Sequence, residues 1–491
     1  MRILLLNPPS EHTIREYTDR DDPKSRGAVE AEDFGVFPPL GLLYILASLK
    51  EKTPEHEAYF LDCVAERIGH GELAAKVADI RPDVVGITSF TIAMYDVCLA
   101  ARNVRAVCPQ AHLCLGGHHP IAFPFEAAQL PEFDTIVVGE GEEAFPALVR
   151  ALAASGDFTA IPGVYTRGSI ERHRHQVTTD PRFLTHVMAP AAYVDNLDLL
   201  PVPDRAAIGH LNYRSIVGAT DRLATMISSR GCPCQCTYCD VPFKCYRQRS
   251  LGPVVDEIRD CLDRGYTEVH FYDDLFNIQP ERVIGFCDEI ERRGYRFQWD
   301  FRGRVNTVTR ESLARAKRAG CRMISFGVET GSNEGLLLLK KNTTIEQVRR
   351  VFQWCRSLGI LTIADFMIGL PFERSADDVR RNVDFLLELD PDYAQFSVLT
   401  LYPNTELFAD AARRGLLRSE RWHEFARNPS PSFHVDFWEE FLGISELLRL
   451  QKESYRRFYL RPRYVWRSVV STRTWHEFTS KLQGAMKLFK G

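Results

Sequence analysis

Five cysteines crowd one short stretch: Cys232, Cys234, Cys236, Cys239 and Cys245. Thiolates at this density hold soft or borderline metals, and two kinds of site compete for them. Zinc takes four ligands, but zinc sites usually bring them as two separated pairs. Here no second C-x2-C pair follows Cys236 and Cys239, and the run Ser229-Arg230-Gly231-Cys232 comes straight off a predicted strand. Iron–sulfur clusters are the other destination for clustered thiolates. The remaining cysteines of the thirteen, such as Cys63, Cys98, Cys108 and Cys355, stand alone. They read as small buried hydrophobes rather than ligands.

Two alternating regions must position these groups. In the first, apolar runs at 2–6, 58–61, 84–88, 112–115 and 135–138 predict strands, with helices at 40–50, 72–80, 93–107 and 143–153 between them. That rhythm implies a doubly wound parallel sheet over residues 1–150, covered on both faces. Ligands of such sheets bind beyond the carboxyl ends of the strands. Those ends carry Asn7-Pro8-Pro9, Asp62, Thr88-Ser89, Gly116-Gly117-His118-His119-Pro120 and Gly139-Glu140-Gly141-Glu142. Glycines there suit either tight turns or close backbone approach to a large ligand.

Residues 151–212 lose the periodicity and, with Pro201 and Pro203, read as a linker. The second region, 213–407, has predicted strands at 223–228, 268–272, 297–301, 323–328, 362–367 and 393–399. Helices at 253–264, 280–293, 310–319, 345–358 and 376–389 show three- and four-residue apolar spacing. Six β/α units imply a barrel or partial barrel with its site at the carboxyl strand ends. Residues 408–491 read as mainly helical, aromatic and basic.

Composition narrows the class. The chain has 491 residues, 45% hydrophobic and 26% charged, which excludes disordered, collagen-like and small disulfide-stapled classes. No apolar run approaches the roughly 20 residues of a membrane span. The opening apolar run ends at Pro8-Pro9, so no signal peptide is expected and the protein is expected in the cytoplasm. Paired disulfides are not expected there. The net charge of −4 hides a basic end: residues 449–491 hold eleven Lys/Arg against two Glu.

Cys232, Cys236 and Cys239 have the spacing C-x3-C-x2-C, which resembles the signature of the radical S-adenosylmethionine (SAM) superfamily. The resemblance implies that these three thiolates, as metal ligands and catalytic residues, hold three irons of a 4Fe–4S cluster and leave the fourth iron for SAM. It implies that Tyr238 packs near the adenine. Tyr272-Asp273-Asp274 resembles the segment meeting the methionine amino group, and Gly327-Val328-Glu329-Thr330-Gly331 the segment near the ribose and carboxylate. Phe301-Arg302-Gly303-Arg304 ends the third strand, and Met367-Ile368-Gly369-Leu370-Pro371 resembles an adenine-reading backbone segment. The resemblance covers roughly residues 223–407.

The N-terminal region resembles the cobalamin-binding domain fused ahead of many such enzymes, through the segments around Pro8, Pro38-Pro39-Leu40-Gly41-Leu42, Thr88, Ser89, Gly116, Gly117, Gly139 and Gly141. Arg247-Gln248-Arg249-Ser250 matches the subgroup carrying this domain. One departure stands out. Where many cobalamin proteins have Asp-x-His-x-x-Gly, this chain has Asp62-Cys63-Val64-Ala65-Glu66-Arg67, with Val64 at the histidine position. Loop histidines His118 and His119 are alternative ligands on type alone.

The resemblance implies a mechanism in which cleavage of SAM gives a 5′-deoxyadenosyl radical that takes hydrogen from an unactivated carbon. Cobalamin then supplies a methyl group to a small-molecule or lipid-like substrate. A flavodoxin or ferredoxin would supply electrons. The rival is ring or oxidative chemistry on a large apolar substrate, because 455–464 resembles tails of the anaerobic magnesium-protoporphyrin ester cyclase and of hopanoid-pathway relatives. A corrinoid carrier without radical chemistry and a nucleic-acid enzyme are further alternatives; neither is expected. The basic, aromatic end suits an anionic membrane surface or, equally, a solvated helix packed on the barrel.

Overall fold

The structure is a computed structural model that describes residues 1–19, 27, 35–174, 191–215, 217–220 and 222–471. The first sheet has six strands: β1 (Arg2–Asn7), β2 (Glu57–Asp62), β3 (Val84–Ser89), β4 (His112–Gly117), β5 (Thr135–Val137) and β6 (Val164–Tyr165), in the order β2-β1-β3-β4-β5-β6. All neighbours pair in parallel except β6, which runs antiparallel to β5. The run Ile3-Leu4-Leu5-Leu6 is buried on both faces, as a central parallel strand requires. Ile3 and Leu5 pack with helices α1 (Leu40–Lys52) and α4 (Gly141–Ala153). Leu4 and Leu6 face the layer of α2 (His70–Ile80) and α3 (Met94–Val107).

The segment expected to be a free linker is partly drawn into this sheet. Val164 and Tyr165 add β6, and Ala192 bridges to Gly139. Both carry buried apolar side chains whose backbones complete an edge, a pairing that local periodicity does not encode.

The second sheet is parallel throughout: β7 (Leu223–Met226), β8 (Glu268–Phe271), β9 (Gln298–Gly303), β10 (Cys321–Glu329), β11 (Leu361–Ile368) and β12 (Tyr393–Val398), paired in chain order. Helices α5 (Leu251–Asp263), α6 (Pro280–Arg293), α7 (Arg310–Arg318), α8 (Ile345–Leu358) and α9 (Ala376–Leu389) connect them. Thr309 and Thr344 close capping boxes at the starts of α7 and α8. The outward faces bury Phe271, Phe286, Trp299 and Phe301 in one aromatic cluster. Along β12 burial alternates, with Ala394, Phe396 and Val398 buried and Tyr393, Gln395 and Ser397 half-buried. The inner face is therefore reached by solvent.

The partial barrel leaves β12 as an edge, and α10 (Ile444–Tyr459) covers it. The Tyr455 hydroxyl accepts the Phe396 N–H at 3.2 Å, and Gln451 Nε2 donates to the Phe396 carbonyl at 2.9 Å. The Tyr459 hydroxyl accepts the Ala394 N–H at 3.1 Å and donates to its carbonyl at 2.9 Å. This alters the reading of the basic, aromatic end. Phe458 is fully buried, Arg457 pairs with Asp384, and Arg461, Arg463 and Arg467 converge on Asp390. Part of that charge is paired on the protein itself, so the stretch through Phe458 packs against the barrel edge while Arg463 and Trp466 stay exposed; Trp475 lies outside the described residues. Among the described residues, no helix is long and apolar enough to cross a membrane.

Candidate active site

The cysteine loop leaves β7 and is closed at its base by Ser229–Arg230 pairing antiparallel with Arg247–Gln248. Gly231 turns the chain there at φ +81°, and its position has no room for a side chain: a Cβ would stand 2.3 Å from the Cys245 carbonyl oxygen. Its N–H donates to Asp274 Oδ2 at 3.0 Å. Cys232 N–H bonds the Phe243 carbonyl, Cys239 N–H the Cys236 carbonyl, and Thr237 N–H the Leu339 carbonyl. Backbone bonds, not the thiols, thus hold the loop open with Cys232, Cys236 and Cys239 half-buried.

Arg304 Nη1 lies 3.3 Å from Cys236 Sγ, and Asn277 pins the Arg304 backbone through both its N–H and its carbonyl. The hydrogen bond from Cys232, followed by the charges of Arg304, Lys341 and Lys244, draws the Cys234 thiol below its ordinary value. Burial pushes Cys239 up. Four-thiolate zinc would hold its sulfurs within about 3.8 Å of one another, given Zn–S bonds of roughly 2.3 Å. Among the described residues, the sets of three ligating side chains with donors within 4.8 Å are Glu11, His12, His70 and Glu268, His270, Asp300; neither involves a cysteine. The cysteines of the loop are therefore not gathered as a closed zinc tetrahedron.

The strand ends around this loop meet as expected in place, but several are already occupied. Asp273 is buried and accepts from Ser228 N–H, Ser228 Oγ and Ser229 Oγ at 2.6–2.7 Å; burial raises its pKa against those bonds. It fixes the loop's first residues rather than standing open to a ligand. Asp274 keeps surface in the cleft, and the crowding around its carboxyl pushes its pKa up. The Tyr238 hydroxyl donates to Glu329 Oε1 at 2.8 Å, and Lys341 Nζ stands 2.8 Å from the same oxygen. Glu329 sits at φ +67° where the β10–β11 register slips, so a bulge aims its carboxylate at the cysteine loop. Arg302 is exposed, with its guanidinium 5.8 Å above the Tyr272 ring. Gly369, at φ +75°, gives its N–H to Glu373 Oε2 at 2.7 Å, as does Leu370 at 2.9 Å. Asn382 links Glu373 to Thr330 and Gly331, tying the ends of β10 and β11 together. Burial lifts Glu373 to about 7 against these bonds.

On the first sheet, Pro8 is buried, Ser89 Oγ donates to the Gly116 carbonyl at 2.7 Å, Thr88 is half-buried, and Gly117 turns at φ +92° against the Ser89 backbone. Two glycines read as ligand contacts have other neighbours. Gly139, at φ +109°, meets the Ala192 backbone, and Gly141 meets Ile45 of α1, so packing by itself already calls for glycine at both. Asp62 is spent on Asn7, Tyr213 and the N–H groups of Val64 and Ala65. His119 is buried with Nδ1 3.2 Å from Thr91 Oγ1; burial and then His118 lower its pKa to about 3, so the ring is neutral. An apolar cavity of about 290 Å³ opens between the sheets. Phe90, His118 and Phe123 line it from the first, Asp240 and Pro242 from the cysteine loop, and Tyr402 and Trp422 from the C-terminal part. Phe90, 66% exposed, stacks on His118 at this mouth.

Sequence reasoning missed Arg304 as the residue reaching Cys236, although it lay in a quoted strand end. It missed Lys341, Asn277 and Glu373, whose side chains arrive from loops with no motif. It also missed the role of Glu140, whose carboxylate joins Arg247 and Arg230 across the two sheets.

Comparison with known proteins places this geometry. The B12 binding domain family matches residues 28–149 and the Radical SAM superfamily residues 226–386. An uncharacterized methyltransferase of Pyrococcus horikoshii is 28% identical over 474 residues, covering 96% of this chain and 95% of the relative. The anaerobic magnesium-protoporphyrin IX monomethyl ester cyclase of Cereibacter sphaeroides is 28% identical over 477 residues, covering 94% and 72%. The fold matches the radical SAM methyltransferase TsrM of Kitasatospora setae with TM-score 0.69 at 20% identity, covering 100% of this chain and 98% of that one. The chain thus carries a B12-binding domain followed by a radical SAM domain. Its cofactors are a 4Fe–4S cluster, SAM and cobalamin.

Proposed function

We propose that this enzyme methylates an unactivated carbon of a small organic substrate. The observation that carries the reading is the cavity shared by Phe90 and His118 of the first domain and Asp240 and Pro242 beside the third motif cysteine. It sets the cobalamin side and the cluster side against one space. When bound, the cofactors supply reductive SAM cleavage to a carbon-centred radical and a transferable methyl group.

The residues divide the remaining work. Cys232, Cys236 and Cys239 hold the cluster, and Arg304 offsets charge at Cys236. Asp274, Glu329 and Gly369 shape the SAM pocket, with Tyr238 and Lys341 fixing the Glu329 carboxylate. Asp273 positions the loop through Ser228 and Ser229. Pro8, Thr88, Ser89, Gly116 and Gly117 form the cobalamin crevice. Val64 leaves the segment 62–67 without an imidazole to offer a bound cobalamin. Phe90, Phe123 and Trp422 exclude water from the shared cavity, which protects a radical from quenching. Domain limits near residues 150, 212 and 407 are part of this reading. So are an electron donor of the flavodoxin or ferredoxin class and a location in the cytoplasm. Peripheral membrane contact would rest on Arg463 and the exposed Trp466.

Anaerobic turnover with labelled SAM against small-molecule extracts tests the reading. 5′-Deoxyadenosine together with S-adenosylhomocysteine supports methylation. Deoxyadenosine alone supports the second reading, oxidative ring chemistry, which the match to the magnesium-protoporphyrin cyclase favours.

A further inference from the structure

Arg304 stands directly after β9 and carries a positive charge to the cysteine loop without bringing a counter-charge. Its backbone is fixed first. Asn277, completely buried, accepts the Arg304 N–H at 3.1 Å and donates to its carbonyl at 2.9 Å. Gly303 makes room for this clasp, since a Cβ there would stand 2.5 Å from Asn277 Oδ1. The half-buried side chain then spends its donors on Cys236 Sγ at 3.3 Å, on Asn306 Oδ1 at 3.3 Å and on the Lys341 carbonyl. Among the described residues, no carboxylate pairs with this guanidinium. By contrast, buried Arg205, Arg247 and Arg249 each meet a glutamate, and Lys341 beside the loop is neutralised by Glu329 at 2.8 Å. A cation withdrawn from water without a counter-ion is costly, so the arrangement calls for negative charge at the sulfur it touches.

We propose that Arg304 is a positioning residue that raises the reduction potential of the cluster by donating to Cys236. This rests on Cys236 being a cluster ligand. Reduction adds one electron, delivered by a donor of the flavodoxin or ferredoxin class, and no bond forms or breaks at Arg304. The reduced cluster carries one more negative charge than the oxidised one. A guanidinium donating to one of its thiolates therefore stabilises the reduced form more, and hydrogen bonds and net charge at the sulfurs are what tune such clusters. Partial exclusion of water around the half-buried side chain strengthens the effect. Asn277 contributes by holding the backbone, so the charge stays aimed at Cys236 instead of swinging out to solvent.

Redox titration of the full-length, cluster-loaded protein, followed by electron paramagnetic resonance of the reduced cluster, tests this without recourse to turnover. The readout is the same whether the enzyme methylates or forms rings. Arg304→Met removes the charge at similar size, and Arg304→Lys keeps the charge without the forked reach. At the poise that reduces half of the parent's clusters, the reduced-to-oxidised ratio should be about tenfold lower in Arg304→Met, a downward shift of about 59 mV. Arg304→Lys should fall between that variant and the parent, and iron content should stay at the parent's level in both. Should Arg304→Met lose its iron, Arg304→Lys decides: a potential below the parent's supports the proposal and an equal one overturns it. An unmoved potential in iron-replete Arg304→Met overturns it, as does loss of iron from both variants, which would make Arg304 a structural support of the loop. A parent that takes up no iron overturns the ligand assignment itself, and this proposal with it.

Discussion

Glu140 and Arg247 meet in a two-armed ion pair across the domain junction, each carboxylate oxygen 2.8 Å from one guanidinium nitrogen. The same carboxylate takes Arg230 at 3.0 Å and the Val194 N–H at 2.6 Å, and Arg230 reaches on to Glu142. Arg230 and Arg247 form the base of the cysteine loop, so this pair ties the first sheet to the cluster site. Removing one partner of a buried pair strands the other, at a cost of about 3–5 kcal/mol. Glu140→Ala should therefore lower the unfolding free energy by about that amount and impair iron loading. Chemical denaturation with iron analysis checks both. Burial alone would raise the Glu140 pKa, but the Arg247 hydrogen bond and the two arginine charges outweigh it, so the folded value is depressed. Its contribution is thus present above the ordinary carboxylate range and lost as pH falls through the depressed value.

Replacing Cys232, Cys236 or Cys239 with Ala should abolish the cluster, whereas Cys234→Ala should retain most of the iron. Each ligand holds one iron in the proposed set, and Cys234 stands outside it. Anaerobic iron content and Mössbauer spectra decide; a full cluster in Cys236→Ala would overturn the assignment.

Gly231→Ala should cut iron loading, since the new methyl group meets the Cys245 carbonyl in a left-handed backbone conformation. Gly71→Ala in α2 is the matched control, since no proline follows it. Nothing lies within 4 Å of its added carbon, and a helical Gly-to-Ala change should stabilise by roughly 0.5–1 kcal/mol. Thermal melts and iron content of the two variants should move in opposite directions.

Glu373 carries a pH signature. Burial holds its pKa near 7, above the unfolded carboxylate value. A raised value means stability fully present below the unfolded pKa and lost as pH rises through about 7. Glu373→Gln should flatten this decline between pH 5 and 8 (about the span of the shift). It forfeits one bond, because an amide nitrogen would face Asn382 Nδ2. Melting temperatures across that range, compared with the parent, provide the check.

Tyr455→Phe leaves the Phe396 N–H unsatisfied beneath α10. A buried donor without a partner costs about 1–3 kcal/mol. Urea unfolding should show that loss, and limited proteolysis should release the segment after β12 more readily than in the parent.

The alternation of strand and helix patterns, the cysteine spacing and the strand-end motifs are local, and the sequence by itself determined them. Period-two and 3.6-residue burial depend only on neighbours a few positions away. Spacing likewise settled that Cys232, Cys236 and Cys239 share one loop. What lies between distant segments was decided only by the tertiary structure. Gly139 and Gly141 looked like ligand glycines, yet the neighbours that demand them are Ala192 and Ile45, distant in sequence. Asp273 read as a contact to the methionine amino group, but Ser228 and Ser229 fold back onto it. Arg304, Lys341 and Glu373 carry no motif, because a lone charged side chain acquires meaning only from the partner that folding brings to it. The aromatic and basic residues from Arg449 onward left a surface and a packed helix both open by composition alone. Their hydroxyls and cations complete an exposed strand edge and pair with Asp384 and Asp390, contacts set by where α10 lands.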